Sequence, residues 1–267
     1  WGYAGGMSKI RLGGMALANG VLVQGPSAWA CAIRTTSGEI KIASARKRLF
    51  APGVQTPFLR GPLRLAESFA MIPDLRRKLP EARLPFERPA VLTATLGSAV
   101  AVRALRQSTR LGAVARELAS GMLSIAPALL ALRGGELAAY HGAEHVSIGT
   151  YEHGEKRAKE HERCGSHLIG PLIVASAGGN ILAARAPAHL RGPARTVTTV
   201  GAVGAAVEVF AWMTRHPGHP LAKALAFPGH ELQHRIATAE PSPEQLEVAE
   251  AALAACLELE RGNRAAD

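Results

Sequence analysis

Four apolar stretches constrain this chain more than any other feature: Pro89 to Val102, Leu118 to Leu132, Leu168 to Ala184 and Thr196 to Met213. Each must be buried, in protein or in lipid. Each is shorter than, or near the lower end of, the roughly 17 to 25 residues that cross a bilayer, so length alone also suits the buried helices of a soluble bundle. Charge separates the two readings. If all four stretches cross, segments 1–88, 133–167 and 214–267 share one side and hold 24 Lys and Arg, against 7 in the loops on the other. That bias is expected when both termini and the segment between the second and third stretches face the cytoplasm. The expected fold is mainly α, a multi-pass bundle of about four spans in the bacterial inner membrane.

Composition narrows the partners. The chain has 267 residues and a formal net charge of +10, but aromatics make up only 4%. Nucleic-acid binders interleave basic and aromatic residues, so no nucleic acid is expected; basic flanks beside apolar runs point to membrane lipid. Cys31, Cys164 and Cys256 are far apart and odd in number, which favours a reducing compartment over a disulfide framework. Met7 is the expected initiator, with Trp1 and its neighbours a fragment or tag, and no signal peptide is visible.

Four regions are expected. Residues 1–50 form a small β-rich module, because short apolar runs such as Val21 to Val23 and Ala30 to Ile33 are broken by turn signals at Gly25-Pro26 and Ser37-Gly38. Two or three strands are expected there. Residues 51–88 are a Pro-punctuated amphipathic connector, with Leu65 and Phe69 apolar and Arg76 to Lys78 basic, suited to a membrane surface or to a solvated face. Residues 89–214 hold the four helices of the membrane core. Residues 215–267 end in an amphipathic helix that starts at Ser242-Pro243-Glu244-Gln245, a capping box with proline first. Its apolar face is expected to cover the amino-terminal strands or a partner chain, a homo-oligomer in the latter case.

Within the core, small residues four apart, Ala175 with Gly179 and Gly201 with Ala205, allow close helix contacts. Glu208 lies inside the fourth stretch. Charged groups there cost roughly 2.5 to 3.5 kcal/mol on insertion scales and normally face a partner. Two readings stand: an outer ligand or proton acceptor near the histidine face described next, or a helix end nearer the interface.

The chemistry concentrates in Tyr140 to Cys164, reading YHGAEHVSIGTYEHGEKRAKEHERC. In a helix from about Glu136 to Glu152, residues His141, Glu144, His145, Ile148 and Glu152 share one face. His141-x-x-Glu144-His145 is the inverted counterpart of the zincin motif: two imidazoles one turn apart reach one ion, and the glutamate between them can polarise a water. His141 and His145 are the expected ligands of a divalent metal, Zn2+ by its chemistry, with Glu144 as general base. Glu152, along the helix axis from His141, is a candidate third ligand. His161 and Cys164 form a His-x-x-Cys pair with the imidazole and thiolate that zinc accepts, or else are a solvated histidine and a loop cysteine. His153 reads as surface, and His230 with His234 as a solvated helix.

These blocks carry a resemblance. GGMALANGVLVQGP from Gly13, YHGAEH with YEHG and HERCG from Tyr140, and PGHELQHRIATAEPSPEQLEVAEAAL from Pro228 resemble the YqhQ-like family of uncharacterised bacterial membrane proteins, labelled metal-dependent enzymes. The resemblance implies a multi-span inner-membrane protein in which His141, Glu144, His145, Glu152, His161 and Cys164 occupy motif positions. The chain departs from the pattern at Asn19 and Gln24, where the family carries charges, in a shortened loop after Gly154, and at Glu162. The expected function is that of a zinc-type membrane hydrolase of undefined substrate. The alternative is a membrane scaffold or regulator whose ion only fixes the loop.

Overall fold

The computed structural model describes residues 9–50, 53–133 and 135–266, with side chains up to residue 263; Trp1 and Met7 lie outside the described residues. The amino-terminal sequence forms four strands, β1 (Gly13–Leu17), β2 (Gly20–Gln24), β3 (Ala28–Arg34) and β4 (Ile40–Arg46), paired as an antiparallel meander in that order. This exceeds the expected two or three because β4 continues through basic residues and is half-exposed, as suits an edge strand. The helices are α1 (Arg60–Ala70), α2 (Ile72–Lys78), α3 (Pro89–Gln107), α4 (Ala113–Leu132), α5 (Gly135–His153), α6 (Ile169–Ala184), α7 (Arg191–Arg215), α8 (Pro220–Leu232) and α9 (Pro243–Ala266).

Period-two alternation gives the sheet two buried faces. Leu17, Leu22, Cys31 and Ile33 pack with Leu75 of α2 and with Leu79 and Leu84 beyond it. Val21, Val23, Ala30 and Ala32 face α5 and α9. The capping box at α9 is reciprocal: the Ser242 N–H donates to Gln245 Oε1 at 2.9 Å and the Gln245 N–H to Ser242 Oγ at 3.3 Å. The apolar face of α9 lies on β2, β3 and β4, so the strands are its neighbour. At its far end buried Glu260 accepts the Ser27 and Ala28 N–H groups, both at 2.7 Å, and so caps the β2–β3 turn. The motif helix α5 packs against α9 and β1, which ties it to the sheet as well as to the helices.

The apolar stretches form a second layer in which α3 contacts α4, α4 contacts α6 and α6 contacts α7. Three segments, Ala113–Leu132, Gly165–Ala184 and Ala188–Arg215, are long and apolar enough to cross a membrane. α3, the first of the four expected spans, is not among these three, its carboxyl-terminal half carrying Arg103 and Arg106. Leu96, Val174 and Val197 are 71%, 66% and 70% exposed, aliphatic surface of a kind that suits lipid rather than water. These features point to a membrane protein. Gly179 lets α6 approach α7, since a Cβ there would meet Thr198 Cβ at 2.9 Å. Gly201 faces open space; Gly204 instead gives room to Phe58, whose carbonyl would lie 2.3 Å from an added Cβ.

The connector helix α1 is amphipathic but turned inside out. Its polar side faces inward, where buried Glu67 accepts the Phe50 N–H at 3.0 Å and pairs with Arg64 at 2.7 Å. Its apolar residues Leu65 and Phe69 are exposed. Arg60, at its start, forms a two-pronged ion pair with Glu208 of α7 at 2.8 and 2.6 Å. The partner of the carboxylate inside the fourth apolar stretch is therefore an arginine from the connector, and Glu208 is not among the residues lining the cavity beside the histidines.

Candidate metal centre

Helix α5 ends at Gly154, whose φ of +82° is the left-handed conformation glycine adopts without strain. The Gly154 N–H still bonds the Thr150 carbonyl at 2.8 Å, after which the chain reverses. The loop that follows runs back beside α5 and brings Cys164 to the histidines. Among the described residues, donor atoms of His141, His145 and Cys164 all lie within 4.8 Å of one another, with Cys164 Sγ 3.6 Å from His141 Nε2.

Backbone carbonyls orient both imidazoles. His141 Nδ1 lies 2.7 Å from the Ala237 carbonyl and His145 Nδ1 lies 2.6 Å from the Lys159 carbonyl. A carbonyl only accepts, so each Nδ1 carries a proton and each Nε2 is the ring nitrogen left free of the backbone, on the cysteine side. Metal-ligating histidines are held in this way. Burial, then the neighbouring His141, pushes His145 down to about 2, which keeps it neutral and able to ligate. Burial raises the Cys164 thiol above its ordinary range, so without an ion it keeps its proton. Two imidazoles and one ionisable thiol form a donor set that fits a zinc-type ion.

The two carbonyls come from segments tied together by one side chain. Gln233, fully buried, accepts the His161 N–H at 2.8 Å and donates to Ser166 Oγ at 2.8 Å, bridging the two ends of the loop around Cys164. It opens a π-helical turn, Gln233–Ala237, whose last residue offers its carbonyl to His141. Such turns recur at functional sites. Lys159 Nζ donates to the His234 carbonyl at 3.0 Å, fixing the loop that holds His145. Sequence reasoning missed Gln233, Lys159 and Ala237. The only available signal was Gln233's place inside a motif block, since a carbonyl leaves no mark in a sequence.

Glu144 is 6% exposed and lines a cavity of about 680 Å³ together with His141, His145 and Cys164. Burial raises its carboxyl to about 7, against a smaller opposing pull from His141. Gly14 of β1 makes the room, since a Cβ there would meet Glu144 Oε1 at 2.5 Å.

The other two candidate ligands stand apart. Glu152 is on the same angular face, but eleven residues at 1.5 Å rise put it about 16 Å along the axis from His141. It pairs with Arg163 and with His161 Nε2, the latter at 3.1 Å. His161 Nδ1 accepts the Arg163 N–H at 3.2 Å, so both nitrogens of that ring are engaged, and its centroid lies 5.6 Å from that of His145. The structure brings His141, His145 and Cys164 together and leaves Glu152, His161 and Glu208 outside that group. His153 and His230 are exposed, and exposed His234 bonds Glu160 at 2.8 Å.

Comparison with known proteins covers this half of the chain. Residues 136–259 match the family described as "Protein of unknown function (DUF1385)". Over 118 residues the chain is 33% identical to "Uncharacterized protein YqhQ" of Bacillus subtilis (strain 168), covering 41% of this chain and 37% of that relative's length. Both matches support the YqhQ-like resemblance, and the family match spans nearly all of α5, the loop and most of α9. Neither description names a metal, a reaction or a substrate. No solved structure matches the chain.

Proposed function

We propose that the chain is a metal-dependent membrane hydrolase whose centre is His141, His145 and Cys164, with Glu144 as its general base. The observation that supports this best is the pair of Nδ1-to-carbonyl bonds, which leave two Nε2 atoms and a cysteine grouped on one cavity wall. Bound there, an ion would supply Lewis acidity, lowering the pKa of water and polarising a carbonyl or phosphoryl oxygen. The residues do the rest. Glu144, poised near neutrality by burial, accepts the proton of the attacking water and returns it to the leaving group, so one water is consumed and the base is regenerated. Three clustered donors among the described residues favour this reading over the scaffold alternative, because structural zinc takes four.

The same reading places the protein in the bacterial inner membrane with termini and centre facing the cytoplasm, the side richer in Lys and Arg. α3 packs along α4 after a short loop, and we read it as a fourth crossing that begins beside the cavity. Metal analysis combined with Glu144→Gln tests the chemistry: the variant should keep its ion and lose activity in cells. Full activity in a metal-loaded Glu144→Gln protein would exclude the hydrolase.

A further inference from the structure

The cavity that ends at Glu144 is larger than an ion and a water need. Its roughly 680 Å³ lies within the range of sites that enclose a small organic ligand. Away from the histidines its walls include Val91 and Thr95 of α3 and Ser124, Ala128 and Ala131 of α4. The α4 residues recur at i, i+4 and i+7, one continuous stripe. The hydroxyls on this wall are turned back onto their own helices: Thr95 Oγ1 donates to the Val91 carbonyl at 2.8 Å and Ser124 Oγ to the Ser120 carbonyl at 2.7 Å. A ligand therefore meets an essentially aliphatic surface there.

The opening is as informative as the wall. Ala131 is buried, whereas Ala128 and Ser124 are exposed, so the cavity opens sideways along α4. Ser124 lies eight residues, about 12 Å, before the end of that helix. α4 is one of the helices apolar enough to cross a membrane, and with α4 in the bilayer this opening would face lipid. The inverted helix α1 marks the same boundary. Its outward Leu65 and Phe69 suit the headgroup region, and its inner Ser68 bonds Gln24, which itself lines the cavity, at 3.2 Å.

We propose that this cavity takes a single-chain amphiphile from the membrane, with its polar head at Glu144, His141, His145 and Cys164 and its aliphatic chain along α3 and α4. The placement of the head rests on the metal-hydrolase reading; the placement of the chain rests on the wall and the opening alone.

The test uses the full chain in lipid nanodiscs, zinc-loaded, with dodecanoate as the amphiphilic probe and hexanedioate as a water-soluble acid lacking a free tail. Binding is read by native mass spectrometry, and zinc content is measured on the same samples. Dodecanoate should bind at least about tenfold more tightly than hexanedioate. Ala128→Phe and Ser124→Leu, which fill the opening from an exposed position, should each weaken dodecanoate by about tenfold or more with zinc unchanged. Equal binding of the two acids, or dodecanoate binding unchanged in both variants, would overturn the inference. Opening-dependent dodecanoate binding by a chain that takes up no zinc would sustain the amphiphile cavity and fail the metal reading.

Discussion

Cys164 Sγ lies 3.6 Å from His141 Nε2, although 23 positions of helix and loop separate the two residues. The contact exists because α5 ends at a left-handed glycine and the loop after it is tied down at both ends by Gln233. The cysteine must lose a proton before it can ligate, since burial raises its thiol above the ordinary range.

Zinc uptake near pH 7 should therefore release the thiol proton along with any share given up by Glu144, measurable by titration calorimetry in buffers of different ionisation enthalpy. In Cys164→Ser that proton should disappear, and affinity should fall by more than the roughly 10- to 100-fold that outer partners contribute. Unchanged proton release in the variant would remove Cys164 from the centre.

Gln233 touches no proposed ligand side chain, yet it holds the loop. Gln233→Leu should lower stability by about 1 to 3 kcal/mol, because the His161 N–H and the Ser166 hydroxyl lose their buried partner. Zinc affinity should fall roughly 10- to 100-fold with all three donors still present. A chelator competition and a thermal melt read the two effects separately.

The metal-free fold should show an unusual pH profile. For Glu144, raised from 4.5 to about 7, the folded chain holds the proton more tightly than the unfolded one. Its contribution is full below 4.5 and lost as pH rises through 7. For His145, lowered from 6.5 to about 2, the unfolded chain takes the proton first, so stability falls as pH drops below 6.5. The slopes oppose each other between 4.5 and 6.5, giving a plateau, and below 4.5 His145 acts alone at up to about 1.4 kcal/mol per pH unit. Glu144→Gln should abolish the plateau, so that the melting midpoint declines steadily below pH 6.5.

The Arg60–Glu208 pair docks the connector on α7. Arg60→Ala leaves a carboxylate without its partner inside an apolar helix and should free α1 for proteolysis, whereas Arg60→Ala with Glu208→Leu should melt closer to the parent. If the double variant is no more stable than Arg60→Ala, the pair does not act as a unit.

Parts of this arrangement were legible in the residues and parts were not. Spacing alone puts His141 and His145 on one face of a helix, and the capping box marks where α9 begins. Angular periodicity also put Glu152 on the histidine face, but it ignores axial rise, and two further turns carry that carboxylate to Arg163 and His161. Carbonyls from Lys159 and Ala237 have no side-chain signature, and Gln233 matters only once its segment meets the loop around Cys164. Glu208 was visible as an anomaly, but its partner lies 148 positions earlier, in a connector helix that meets α7 only in the folded chain. Apolar length alone treats α3 like the other three stretches, although Arg103 and Arg106 set it apart from the helices apolar enough to cross.

The most direct measurement is zinc content in purified parent, His145→Ala and His161→Ala proteins. A centre built from His141, His145 and Cys164 predicts about one ion per chain in the parent and in His161→Ala, and loss of the ion in His145→Ala. A parent without stoichiometric metal, or loss in His161→Ala equal to that in His145→Ala, would contradict it.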